Sequence, residues 1–227
     1  MAAACNSEYF RPVGRSKLKK WAELDTFERT FQAGPELRKG NWAKDVFKNT
    51  NPITAELGCG RGEYTVALAR LYPERNFVGV DVKGARIWKG AKASNTEKIV
   101  NTAFVRAQID HINDWFEQSE LEEIWITFPD PQPQDNRARK RLTHPVFLER
   151  YRQFLKPHGL VHLKTDNTAL FEFTMRVLDE LKLPIIQQTH DLYQSPLYEG
   201  ILQVKTRYEE IFTDKGENIK YVCFQLI

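Results

Sequence analysis

Residues 53–63 read Ile53-Thr54-Ala55-Glu56-Leu57-Gly58-Cys59-Gly60-Arg61-Gly62-Glu63, an apolar run that breaks into three alternate glycines. The first five residues have the length and apolar character of a buried strand. After the glycines, Tyr64, Ala67, Leu68 and Leu71 recur at i, i+3, i+4 and i+7, which predicts a helix with one core-facing side. A second strand is expected over Asn76 to Asp81. Asp81 therefore sits about 20 residues beyond Gly60, at the end of the neighbouring strand.

The alternation continues outward. Further strands are expected at Ala103 to Gln108, Glu123 to Thr127, Leu160 to Lys164 and Ile185 to Gln188. Between them, the stripes Phe147, Tyr151, Phe154 and Leu170, Phe173, Val177, Leu181 read as helix sides facing a core. Repeated β-α order implies an α/β fold of Rossmann-like type, a mostly parallel sheet with helices on both faces. The C-terminus departs from that order. Tyr208 to Phe212, a turn at Asp214 to Gly216, and Tyr221 to Leu226 predict a β-hairpin, giving the sheet an antiparallel edge. Residues 1–45 are rich in Lys, Arg, Phe and Trp with weak periodicity, and are expected to form a partly mobile basic extension ahead of a single domain over 46–227.

Composition narrows the class. The chain has 227 residues, 41% hydrophobic and 28% charged, which suits one well-cored globular domain. No apolar run reaches the roughly 18 to 20 residues of a membrane helix, and the N-terminus lacks the apolar block of a secretory signal, so a cytoplasmic protein without membrane attachment is expected. Cys5, Cys59 and Cys223 are widely spaced and suggest neither a disulfide framework nor a metal site. The net charge of +3 is small, but cations cluster at Arg15, Lys17, Lys19 and Lys20 and again at Arg137, Arg139, Lys140 and Arg141. Such clusters are either solvated faces or contacts for phosphate.

The glycine turn followed by a distant carboxylate is the arrangement that binds a nucleoside. Glycines let the backbone approach the ligand, and Asp81 can accept both ribose hydroxyls. A dinucleotide site uses GxGxxG, whereas the third position here would be Glu63. Glu56 and Glu63 also flank the turn, which disfavours a pyrophosphate and suits a cationic sulfonium or amino group. S-adenosylmethionine is thus preferred over NAD. Asp110, just past the third strand of this series, stands where a carboxylate accepts an adenine amino group or caps a helix.

Ligands in open α/β sheets bind beyond the carboxyl ends of the strands, which puts Phe128-Pro129-Asp130-Pro131 beside the donor. Residues 128–148, FPDPQPQDNRARKRLTHPVFL, resemble the PDP-then-basic signature of the tRNA (guanine-N7)-methyltransferase family. Leu163-Lys164-Thr165-Asp166 is similar to that family's Thr-Asp step, and Thr206-Arg207-Tyr208-Glu209 to its Thr-basic-aromatic-Glu element. The resemblance implies that Glu56, Gly58, Gly60, Asp81, Asp110 and Asp130 line the S-adenosylmethionine side, with Asp130 at the reacting atoms. It implies that Asp166, Thr206, Arg207, Tyr208 and Glu209 hold the guanosine, and that Arg137, Arg139, Lys140 and Arg141 contact tRNA. Gln132 and Gln134 stand where family members usually carry Trp and Lys. A metal-free enzyme acting on tRNA as a monomer or homodimer is the expectation. The competing readings are a methyltransferase for another RNA or a small molecule, an RNA-binding protein that has lost the donor, and a dinucleotide oxidoreductase.

Overall fold

The computed structural model describes residues 15–227, so Cys5 and the rest of the first 14 residues lie outside the description. Eight strands form one sheet: β1 (Thr30–Phe31), β2 (Ile53–Leu57), β3 (Asn76–Asp81), β4 (Thr102–Arg106), β5 (Leu121–Thr127), β6 (Leu155–Thr165), β7 (Ile185–Thr189) and β8 (Lys220–Gln225). The helices are α1 (Arg15–Leu24), α2 (Glu63–Leu71), α3 (Gly84–Glu97), α4 (Pro145–Arg152), α5 (Thr168–Glu180) and α6 (Arg207–Asp214), with short helical turns between. The spatial order is β1-β4-β3-β2-β5-β6-β8-β7. Strands β1 to β6 pair in parallel, and β8 runs antiparallel between β6 and β7. The chain reverses its direction of travel across the sheet between β2 and β5, and a crevice opens there.

Period-two alternation on the strands builds two cores. Ala55, Val78, Val80, Val105, Ile124, Ile126 and Leu163 face a layer made by residues 42–47, α4 and α5. Phe77, Trp125, Tyr221 and Cys223 face the opposite layer, with Tyr64 and Leu68 of α2. The stripe expected on α5 is rotated slightly: Leu170 and Val177 are buried as read, but Phe171 and Leu178 are the fully buried partners, while Leu181 is largely exposed. Among the described residues no helix is long and apolar enough to cross a membrane.

Two expectations need correction. Tyr208 to Phe212 is not a hairpin strand but part of α6, because Thr206 and Glu209 form a reciprocal capping box that starts a helix there. The antiparallel element is real, but β8 pairs with β6 and β7 instead. The boundary at residue 45 is also not a packing boundary. Leu24 and Trp42 are fully buried, the Trp42 indole N–H donates to the Trp115 carbonyl at 2.7 Å, and β1 extends the sheet beside β4. Residues 15–45 are thus continuous with the domain.

The third glycine of the turn serves packing. Gly62 has φ 68°, and a Cβ there would run into the Phe104 ring. Gly90 of α3 lies against it: an added Cβ would meet the Arg61 carbonyl at 2.8 Å and the Gly62 Cα at 2.9 Å. Backbone atoms cannot step aside. Gly90→Ala is therefore expected to lower the thermal midpoint, since overpacking at the upper end of about 1–3 kcal/mol outweighs the helix-propensity gain of about 1 kcal/mol. An unchanged or raised midpoint in a melting curve would contradict this contact.

Candidate active site

At the carboxyl ends of β2, β3, β5 and β6 lies a cleft of about 910 Å³. Its floor is the glycine turn. Gly58 and Gly60 have φ of 79° and 56°, conformations that a side chain would strain. The Gly58 and Cys59 amides donate to the Val80 carbonyl at 2.8 and 3.0 Å, and the Gly60 amide donates to the Asp81 carboxylate at 3.0 Å. Asp81 also accepts the Lys83 amide at 2.7 Å. These bonds fix turn and carboxylate relative to each other, with Asp81 still lining the cleft.

Glu56 is buried below the turn. It accepts from the Thr65 amide at 3.0 Å, from the Thr65 hydroxyl, and from the Thr127 hydroxyl at 2.7 Å. Burial pushes its carboxyl up to about 7, against the opposing pull of the two threonines. Cys59 lines the same floor, and burial drives its thiol up, so it is an unreactive wall atom.

The substrate side is built by two loops and a helix end. After β5, Phe128 and Gln132 adopt left-handed backbone conformations, φ 47° and 45°, bracketing the exposed Asp130. Asp130 accepts the Gln132 amide at 3.1 Å and has no other polar partner among the described residues. Asp166 lines the cleft after β6, and burial pushes its carboxyl above the usual range. Thr206, Arg207 and Tyr208 enter from α6. Phe128, Phe212 and Tyr208 stack in series, with ring centroids 6.1 and 6.5 Å apart and interplanar angles of 18° and 23°. Tyr208 is 46% exposed at the open end of this ladder.

Three of the residues singled out from sequence stand elsewhere. Asp110 is not in the lining: its carboxylate meets Arg150 at 3.3 Å, and Ile109 supplies the apolar wall at that point. Glu209 is fully buried behind the cleft. It pairs with Lys164 at 2.7 Å and accepts from the Tyr193 hydroxyl at 2.9 Å and the Thr206 amide at 3.2 Å. It therefore holds the Thr206–Tyr208 segment rather than a guanosine. Arg141 is buried as well, donating to the Gln132 carbonyl at 3.3 and 3.1 Å with its guanidinium 4.5 Å from the Phe173 ring centre. It braces the Asp130 loop, leaving Arg137, Arg139 and Lys140 exposed at the rim.

Lys164 was missed from sequence. It is fully buried on β6, and its ammonium also donates to the Val204 carbonyl at 3.2 Å. Its signal was a lysine ending the strand read over Leu160 to Lys164, directly before Thr165 and Asp166. Burial lowers its pKa while Glu209 opposes that fall.

The reversal of strand order, the glycine turn and the acid at the end of the next strand define a nucleoside-binding α/β methyltransferase. Residues 50–222 match the family model described as "Putative methyltransferase". The chain is 46% identical over 221 residues to a tRNA (guanine-N(7)-)-methyltransferase of Bacteroides fragilis, covering 94% of this chain and 87% of that one. Against the enzyme of the same name from Cytophaga hutchinsonii the identity is 41%, covering 95% and 99%. The fold is similar to a 16S rRNA (adenine(1408)-N(1))-methyltransferase from Catenulisporales acidiphilia solved with its cosubstrate S-adenosylmethionine. That structure has TM-score 0.59 and 14% identity, covering 87% of this chain and 93% of the other. This chain belongs to the tRNA (guanine-N7)-methyltransferase family.

Removing Lys164 alone leaves Glu209 buried without its counter-ion, which costs about 3–5 kcal/mol. Lys164→Ala is expected to lose stability of that order in denaturant unfolding, and the double variant Lys164→Met, Glu209→Gln to recover part of it. A loss below about 1 kcal/mol would mean that the pair does not hold α6.

Proposed function

We propose that this protein transfers the methyl group of S-adenosylmethionine to N7 of a guanine in tRNA. The observation that carries the reading is one continuous cleft with two sets of carboxylates. Glu56 and Asp81 belong to β2 and β3, beside the glycine turn, while Asp130 and Asp166 follow β5 and β6, on the other side of the strand reversal. Family membership supports the same reaction.

S-adenosylmethionine, when bound, supplies an electrophilic methyl group on a cationic sulfur. The donor set fits it: Asp81 would accept ribose hydroxyls, Gly58 and Gly60 would admit the ligand to the backbone, and Ile109 would supply an apolar wall for the adenine. Glu56, once ionised, favours the cationic end.

Guanine N7 has a lone pair and no proton, so no base is required and positioning supplies most of the rate. No histidine lines the cleft among the described residues, in keeping with that requirement. Asp130 and Asp166 accept the N1–H and N2–H donors of guanine, a pair that adenine lacks. Their negative field also favours the positive charge that develops on the purine as the methyl transfers. Tyr208 offers a stacking face at the end of the aromatic ladder, on a chain where Gln132 replaces the family's usual Trp. Arg137, Arg139 and Lys140 neutralise phosphates at the rim. A tRNA substrate also implies the cytoplasm as the place of action.

The test is transfer of labelled methyl to unmodified tRNA, followed by borohydride and aniline cleavage at N7-methylguanine. Cleavage at one guanine is expected, with turnover lowered about 10²–10³-fold in Asp130→Ala, the loss typical of one group aimed at developing charge. Label at adenine, or none in tRNA, would overturn the reading.

A second prediction concerns pH. Because burial raises the Glu56 carboxyl to about 7, it is neutral below that pH and charged above it. Donor affinity measured by calorimetry is expected to rise about tenfold per pH unit from 5.5 towards 7 and then level off. Glu56→Gln is expected to flatten that profile. An equally steep profile in the variant would remove Glu56 from donor binding.

A further inference from the structure

Beside the cleft, on the flank built by α1 and α3, lies a groove of about 310 Å³ lined by cations and no carboxylate: Lys20, Arg61, Arg86 and Lys89, with Trp88 as its wall. It is continuous with the cleft, since Gly60, Arg61, Arg86 and Tyr208 border both. The cations are held outward. Lys20 is 4.6 Å and Lys92 4.7 Å from the Trp88 ring centre, while Glu23 fixes that ring by accepting its N–H at 2.7 Å. The carboxylates nearby are occupied: Glu23 pairs with Lys92 at 3.6 Å and Glu63 with Lys89 at 2.5 Å. Lys20, Arg61 and Arg86 have no anionic partner among the described residues.

Folding gains nothing from placing unpaired like charges around a concave surface, where they repel one another. A polyanion crossing the groove would neutralise them and release its counter-ions. The position also matters. The groove leaves the cleft at Tyr208, on the opposite side from Arg137, Arg139 and Lys140, which follow β5. A nucleoside bound in the cleft has one phosphate on each side, and this flank offers cations for the second.

We propose that the groove is a track for backbone phosphates next to the target guanosine, so that RNA crosses the cleft between two cationic rims. This inference rests on the tRNA reading above. It gives the N-terminal helix a direct part in substrate binding, through Lys20, and makes Tyr208 the corner at which the base enters the cleft and the backbone continues outside it.

The test compares Lys20→Ala with a control away from the cleft, Arg176→Ala. Binding of unmodified tRNA is read by fluorescence anisotropy over a salt series, beside donor affinity and methyl transfer. The groove variant is expected to bind tRNA about two- to threefold more weakly, with the slope of log affinity against log salt reduced by about 0.7–0.9 and donor affinity unchanged. The control is expected to match wild type. Equal affinity and slope in all three proteins would overturn the track. If wild type binds tRNA without methylating it, the functional reading fails while the groove is still judged by the binding slopes; if it does not bind tRNA at all, both fail.

Discussion

A carboxylate at the end of one strand fastens the turn that follows the next. Asp81 accepts the amides of Gly60 and Lys83, and the Gly58 and Cys59 amides reach across to Val80, so the glycine turn cannot shift without breaking the ladder between β2 and β3. The ligand floor is thus set by main-chain geometry before any ligand arrives. Gly62 and Gly90 complete this constraint from below, by letting α3 press directly on the turn. Preorganisation of this kind suits a reaction in which alignment, rather than proton removal, supplies the rate.

The opposite wall depends on different physics. The buried Lys164–Glu209 pair anchors the first turn of α6, and Arg141 pins the Asp130 loop through the Gln132 carbonyl. Charges are thereby spent inside the protein to hold exposed groups at the cleft. A charged residue in a family motif can therefore matter without touching the substrate. Glu209 and Arg141 each stand one step behind the residues that face the cleft, Thr206 to Tyr208 in one case and Asp130 in the other.

What was legible in the sequence follows from how local each signal is. The glycine turn, Asp81, and the strands around them are encoded within a few dozen residues, as short apolar runs separated by a helical stripe, and both runs are buried strands. Asp110 and Arg141 were placed less well because their partners, Arg150 and Phe173, come from other elements that meet only in the folded chain. The two residues of β1 are too short to show any period, so the sheet's first edge passed as an extension. The misreading of α6 had a local remedy: Thr206 and Glu209 have the spacing of a capping box, and Tyr208, Ile211 and Phe212 recur at i, i+3 and i+4, a helical period. Lys164 offered only its position at the end of a strand, and its partner Glu209 lies on a distant helix.

In the proposed reaction the attacking atom is a purine N7, using its own lone pair inside a cleft that contributes alignment and negative field. The most direct measurement is methyl transfer to a tRNA transcript in which 7-deazaguanosine replaces guanosine, with binding followed alongside. The account predicts that the substituted RNA binds comparably and takes up no methyl group, because the nucleophilic nitrogen has become a C–H. Methylation of that RNA at the rate of the ordinary transcript would show that another atom is the acceptor and would contradict the account.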